Sequence, residues 1–289
     1  MPERISKTDL ILREDGAAYH LGLLPAQIPD IILTVGDPER VPFVSRYFDV
    51  IEEKIAHREF VSHIGRVGKR ALMVISSGMG TDNVEILMTE LDALVNIDYD
   101  TRLPYETSRR LTIIRLGTSG SLQPDIPVDS MLVSQTAFGL DTLMQFYDYT
   151  TPPHFQEATQ QMKAACQLSF EPYAAESDSD LLSRFEPDFL VGNTLTCPGF
   201  YAPQGRHLRL SPRQDDLLQT LMNFRFSGKA VTNLEMETAG YYALGTLLEH
   251  RMLSLNAILA HRPSGKFSSN PMKIIDRIIE RTFSRIENL

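Results

Sequence analysis

Residues 111–123 read LTIIRLGTSGSLQ. Leu111, Ile113, Ile114 and Leu116 are apolar on both alternations, the pattern of a strand covered on both faces. Arg115 sits in the middle of that run, where an unpaired charge is costly, so it needs an anionic partner. A buried carboxylate would serve, and so would an anionic ligand; the four residues 117–120 favour the ligand. Gly117, Thr118, Ser119 and Gly120 supply hydroxyls and backbone N–H groups, as an oxyanion or sugar site requires.

Similar apolar, β-rich runs recur at IILTV (31–35), ALMVIS (71–76), MLVSQT (131–136), FLVGNT (189–194) and LNAILA (255–260). Helical patterns lie between several of them. In 83–97, Val84, Leu87, Leu91, Leu94 and Val95 form one stripe. Ser211 and Pro212 predict a helix start over 211–224, with Ser211 as N-cap. Residues 235–251 read as a largely buried helix. A last helix opens at Asn270 and Pro271, with Ile274, Ile275, Ile278, Ile279 and Ile286 facing the core. Segments 98–110 and 146–182 are polar and read as irregular excursions. Buried strands alternating with helices predict an α/β layer architecture.

The chain has 289 residues, and no linker-like stretch divides it, so a single domain over 1–289 is expected. The net charge is -9 with Lys and Arg scattered, which argues against a nucleic-acid or anionic-membrane partner. No apolar run approaches the roughly 20 residues that span a bilayer. The N-terminus carries Glu3, Asp9, Glu14 and Asp15 and no apolar signal core, so a cytoplasmic location is expected. Cys166 and Cys197 are too few for a disulfide framework or a cysteine metal site and read as reduced thiols.

Two further strand ends carry unusual chemistry. TVGDPER places Gly36 after a strand and Pro38 in a first helical turn, where free N–H groups and Arg40 suit an anion; an ordinary tight turn with a surface arginine reads equally well. SSGMGTDN has only Gly78 and Gly80, and position 83 is Asn, so a dinucleotide fingerprint is absent. In NLEMETAG, Glu235 and Glu237 flank Met236 at the start of the expected helix, where residues two apart point to different sides, so at most one is expected to face a shared pocket. FYAPQGR (200–206) sets Gln204 and Arg206 just past two aromatic rings.

Taken together, HLGL (20–23), GDPER, HREF (57–60), GMG, RLGTSGSLQ, FYAPQGR and EMET resemble the nucleoside phosphorylase family of purine nucleoside and uridine phosphorylases, nearest its uridine-specific branch. HRPSGKFSSNP (261–271) is a weaker echo. The resemblance implies a three-layer α/β/α fold around a mixed, twisted, partly barrel-like sheet. It implies a phosphate site at Gly36, Arg40, Arg58, Arg115 and Thr118, with Arg58 reaching in from a neighbouring subunit. It implies ribose contacts from Thr118, Met236 and Glu237, with His20 again from the partner. Phe200, Gln204 and Arg206 would hold a pyrimidine, and Arg206, Glu237 and Arg115 would carry the catalysis.

The activity implied is phosphorolysis of uridine to uracil and α-ribose 1-phosphate by a homo-oligomer, either a dimer or a hexamer of dimers. Purine-specific relatives carry an aspartate near 260–262, where this chain has Ala260, His261 and Arg262. A purine phosphorylase or a nucleosidase is the second expectation, and a non-catalytic nucleoside-binding relative the third. No metal or other cofactor is expected, phosphate being a co-substrate. Relatives can hold a monovalent cation at a subunit interface near the position of Glu59. The base loop departs from the family at Ala202 and Pro203, and His261 stands where an asparagine is common.

Overall fold

Strand pleating sorts the apolar residues of 31–35 into two cores. Ile31, Leu33 and Val35 pack into one cluster and Ile32 into another, so β1 (Ile31–Val35) is buried on both sides. The computed structural model describes residues 4–289, so Glu3 lies outside the described residues. β1 pairs in parallel with β4 (Arg70–Ser76) and with β5 (Thr112–Ser121). Beyond β4 the sheet continues antiparallel through β3 (Phe60–Val67) to β2 (Val50–His57).

On the other side of β5 the sheet closes on itself. β6 (Met131–Gly139), β8 (Leu190–Thr196), β9 (Asn233–Glu235) and β10 (Arg251–His261) complete the ring. β5 pairs with β9, β9 with β8, β8 with β6, β6 with β10, and β10 returns in parallel to β5. β7 (Tyr173–Glu176) pairs with β6 and β11 (Lys266–Phe267) with β10, giving 11 strands in a mixed, partly barrel-like sheet. A closed ring removes two sheet edges and brings strand ends together at one mouth.

Helices cover both faces. On one, α2 (Thr81–Asn96) and α6 (Thr238–Leu247) pack with Ile32, Met73, Ile75 and Ile113. On the other, α4 (Ser179–Phe185) and α7 (Pro271–Phe283) pack with Ile31, Leu33, Val74 and Ile114, beside α1 (Val41–Ser45). This is the three-layer arrangement. A third cluster gathers Phe138, Phe155 and Phe226 under α3 (Pro153–Ala165) and α5 (Leu217–Asn223). No helix among the described residues is long and apolar enough to cross a membrane. Cys166 and Cys197 are free and buried.

Three sequence expectations change. The helix read over 235–251 runs only Thr238–Leu247, because Glu235 ends β9 and Arg251 starts β10. The helix expected from Ser211 begins only at Leu217, with Asp216 at its N-cap position and no side-chain cap. Segment 146–182 is no plain excursion: it holds α3, β7 and the start of α4, and β7 adds a strand to the main sheet. The last helix starts as expected, with the Asn270 side chain accepting from the Lys273 N–H, but it ends at Phe283, so Ile286 joins the core from beyond it.

Candidate active site

A cleft of about 650 Å³ opens at the carboxyl ends of β1, β4, β5 and β9. In sheets of this kind ligands bind at such ends, because the loops and helix starts after the strands converge there. Gly36, Arg40, Arg115, Thr118, Phe200, Gln204, Arg206, Met236 and Glu237 all line it. Residues spread over 200 positions of sequence are thus brought to one mouth by the ring closure.

One end of the cleft is cationic. Gly36 comes so close to the GMG loop that a Cβ would lie 3.3 Å from the Gly78 carbonyl oxygen. The next residues form a single helical turn, Pro38–Arg40, capped by Asp37, whose side chain accepts from the Glu39 N–H at 2.9 Å. Arg40 is then turned inward with its side chain 18% exposed. Burial pulls the Arg40 guanidinium below its ordinary value; Asp37 and Glu237 push back, and Arg115 adds repulsion. Two guanidiniums lining one space favour an anion between them.

Arg115 has the carboxylate partner considered for it, twice over, and it also lines the cleft. Its Nη2 donates to Glu237 Oε2 at 2.5 Å and lies 3.0 Å from Glu235 Oε2. Its Nη1 donates to Ser254 Oγ and Asn256 Oδ1. The guanidinium folds back over Gly117, where a Cβ would sit 1.8 Å from Nη1. Glycine at 117 is therefore required by the arginine two residues earlier. Burial lowers the Arg115 cation's hold on its proton, and Glu235 and Glu237 more than restore it.

The expectation that only one of Glu235 and Glu237 faces the pocket is wrong: both line it and both pair with Arg115. The helix begins only at Thr238, so Glu235 is still the last residue of β9 and Glu237, with φ -137° and ψ -33°, is the N-cap residue of α6. In chain that has not yet entered the helix, residues two apart fall on the same side, which sets the two carboxylates together. Its Oε1 accepts from the Gly80 N–H at 2.8 Å, so the GMG loop supports the carboxylate.

The opposite end of the cleft is formed by FYAPQGR. Ala202–Gln204 make a helical turn closed by Gly205 in the left-handed region, with φ 65° and Leu218 packed against its Cα. Gln204 is buried and Phe200 half exposed. Arg206 lies over the Phe200 ring, 3.7 Å from its centre, and its Nη1 donates to the Phe200 carbonyl and to Gln204 Oε1. Burial, then Arg262, pulls Arg206 down to about 10. It remains a cation at neutral pH.

His20 and Arg58 are not in this cleft. The structure sets their two segments side by side instead, with His57 Nδ1 at 2.7 Å from the His20 carbonyl and Arg58 over the Tyr19 ring. Glu90 on α2 accepts from the His20 and Leu21 N–H groups and contacts His20 Nδ1 at 2.6 Å. Arg58 is exposed and has φ 55°, an uncommon conformation for a residue other than glycine.

Sequence reasoning missed several cleft residues. Asn83 lies against Gly78, where φ is 74° and a Cβ would meet the Asn83 amide at 2.3 Å. Phe267, 64% exposed, forms a wall of the cleft, and Arg262 Nη2 donates to the Gly205 carbonyl. Both come from 261–271, where the motif is weakest. His250 pairs with Asp92 far from the cleft residues, and His261 Nδ1 contacts Ser264. Among the described residues no group of three His, Cys, Asp or Glu could hold a metal.

Residues 30–284 match the model of the phosphorylase superfamily. The chain belongs to that superfamily. It is 27% identical over 267 residues to a uridine phosphorylase of Thermococcus kodakarensis, covering 92% of this chain and 86% of the relative. It is 26% identical to the uridine phosphorylase of Haemophilus influenzae, covering 84% and 86%. It is also 25% identical to a DeoD-type purine nucleoside phosphorylase of Myxococcus xanthus, covering 86% and 88%. Among solved structures it resembles a Trypanosoma brucei nucleoside phosphorylase described as showing uridine phosphorylase activity. That match has a TM-score of 0.85 and 26% identity and covers 96% of this chain and 99% of the other. The superfamily match spans every residue that lines the cleft.

Proposed function

We propose that this chain is a uridine phosphorylase, converting uridine and phosphate to uracil and α-ribose 1-phosphate within one domain. The observation that carries the reading is the cleft itself, where paired guanidiniums, an anchored carboxylate and an aromatic–amide–guanidinium loop line one space. The uridine phosphorylase relatives and the Trypanosoma brucei structure support it.

In this reading Arg40, Arg115, the Gly36 turn and Thr118 hold phosphate beside C1′, where positioning and electrostatics supply most of the acceleration. One phosphate oxygen bonds to C1′ as the glycosidic C–N bond breaks, and the bonding pair leaves with the base. Glu237, with Met236 and Thr118, holds the ribose hydroxyls and favours positive charge on the sugar. Gln204 reads the uracil edge beside Phe200. Arg206, a cation, steadies negative charge on the departing uracil, which then takes a proton. The displacement inverts C1′.

Arg58 and His20, lying together outside their own cleft, would complete the site of a second copy, making the enzyme a homo-oligomer with shared sites. A purine substrate is disfavoured because the stretch facing Gly120 reads Ala260, His261, Arg262, with no acid. The test is to incubate uridine, thymidine, inosine and adenosine with and without phosphate and follow free base. Phosphate-dependent release of uracil is expected. Release without phosphate would indicate a nucleosidase, and release from inosine or adenosine alone a purine enzyme.

A further inference from the structure

Two carboxylates share Arg115, yet they are held in different ways. Glu237 has a loose set of partners: the Gly80 N–H on Oε1 and Arg115 on Oε2. Glu235 is enclosed by donors. Its Oε1 accepts from the Thr196 hydroxyl at 2.7 Å and the Thr238 N–H at 3.1 Å. Its Oε2 accepts from the Glu237 N–H, the Thr238 N–H and the Thr238 hydroxyl at 2.9–3.0 Å, and lies 3.0 Å from Arg115 Nη2. Every group around it donates, so the side chain can act only as an acceptor, and a carboxylate is the form that fits.

The first amides of α6 and two threonine hydroxyls thus fix Glu235 rigidly, and Glu235 in turn fixes one edge of the guanidinium. The proposed reaction asks Glu237 to give its oxygens to ribose hydroxyls. A buried guanidinium with Glu237 as sole counter-ion would resist that exchange, because releasing the carboxylate leaves a charge unpaired.

We infer that Glu235 is a positioning residue: it stays paired with Arg115 throughout the cycle, so that Glu237 is free to leave the arginine for the ribose. This rests on the uridine phosphorylase reading and adds to it a division of labour, one carboxylate for the cation and one for the sugar. Met236 between them is partly exposed in the cleft, and the late start of α6 at Thr238 is what lets neighbours two apart reach the same arginine.

The experiment compares wild type, Glu235→Gln and Glu235→Asp in steady-state phosphorolysis, varying uridine and phosphate separately, with a thermal melt of each protein. In Glu235→Gln, Arg115 moves fully onto Glu237, so the uridine KM rises at least tenfold while the phosphate KM changes less than threefold. Glu235→Asp keeps the charge but draws it back from Arg115 by one methylene, so the uridine KM rises several-fold, less than in Glu235→Gln. A role confined to capping α6 would lower the melting temperature in both variants and move neither KM, and that result overturns the inference. If Glu235→Gln does not fold, the Asp variant decides: an unchanged uridine KM overturns it and a several-fold rise supports it. A wild-type chain that neither cleaves nor binds uridine would overturn the parent reading and this inference with it. An active wild type with no split in the variants overturns the inference alone.

Discussion

Arg206 stacks on Phe200 and donates to Gln204 Oε1, so the three residues proposed to hold the base are already bound to one another. A guanidinium on an aromatic face is favourable by about 0.5–2 kcal/mol, depending on how far it is desolvated. The same contact fixes the Gln204 amide with its oxygen toward Arg206, leaving its N–H groups as donors for a carbonyl. Replacing Arg206 with Ala removes the cation expected to steady the leaving uracil but leaves Arg40 and Arg115 in place. The expected result is a fall in kcat of about 10²-fold, the size seen when one transition-state donor is lost, with the phosphate KM within about twofold, as for a residue remote from the anion. Steady-state kinetics on uridine check this, and unchanged turnover would remove the leaving-group role. At this scale the sequence identifies Arg115 as anomalous because a charge inside an apolar run is visible without coordinates. It does not show that Glu235 shares Arg115, since a helix read from 235 sends Glu235 and Glu237 to different sides, whereas the helix starts only at Thr238.

Elements buried on both faces are the legible ones. β1 is found at the residues its apolar run marks, and α7 begins at its Asn-Pro signal. β2 and β3 are not legible in the same way: β2 is largely exposed, and His63 and Ser62 interrupt the apolar pattern of β3 while being buried. The late start of α5 shows a cap signal overridden by what lies beside it, as Gly205 packs directly on Leu218 and sets where that helix enters. Asp178, inside a segment read as irregular, is a helix start that the sequence reading passed over. Its side chain accepts from the Leu181 N–H and pairs with Arg251 at 3.1 Å, tying α4 to β10. Burial pushes the Asp178 carboxyl up, but Arg251 and the Leu181 amide outweigh it and hold it below its ordinary value. A depressed carboxyl contributes stability that is present above the unfolded pKa and is lost as pH falls through the folded one. Asp178→Ala should therefore cost about 1 kcal/mol at neutral pH from the cap alone, and the gap from wild type should close below about pH 4. Urea unfolding of both proteins across pH checks this; a gap independent of pH would mean that the carboxylate charge is not what stabilises α4.

At the scale of the whole molecule, the ring of strands gathers nine of the eleven expected site residues into one cleft and leaves Arg58 and His20 outside it. Glu59 lines the cleft while Arg58, its neighbour, is exposed and turned toward Tyr19. A residue held in the left-handed region, with a tied histidine beside it, is an arrangement that costs energy and serves no contact with its own cleft. If Arg58 serves a second copy, each site is assembled from two chains, and defects on different sides of the boundary complement one another. Arg58→Ala and Arg115→Ala should each be nearly inactive alone. Mixed under conditions that exchange subunits, half the dimers pair one variant with the other, and each such dimer holds one site with both arginines intact. Activity should then return to about a quarter of wild type for a two-fold assembly. Recovery depends on exchange, so the mixture must be compared with one kept from exchanging. Activity that stays at the sum of the separate variants after verified exchange would place Arg58 in the service of its own chain.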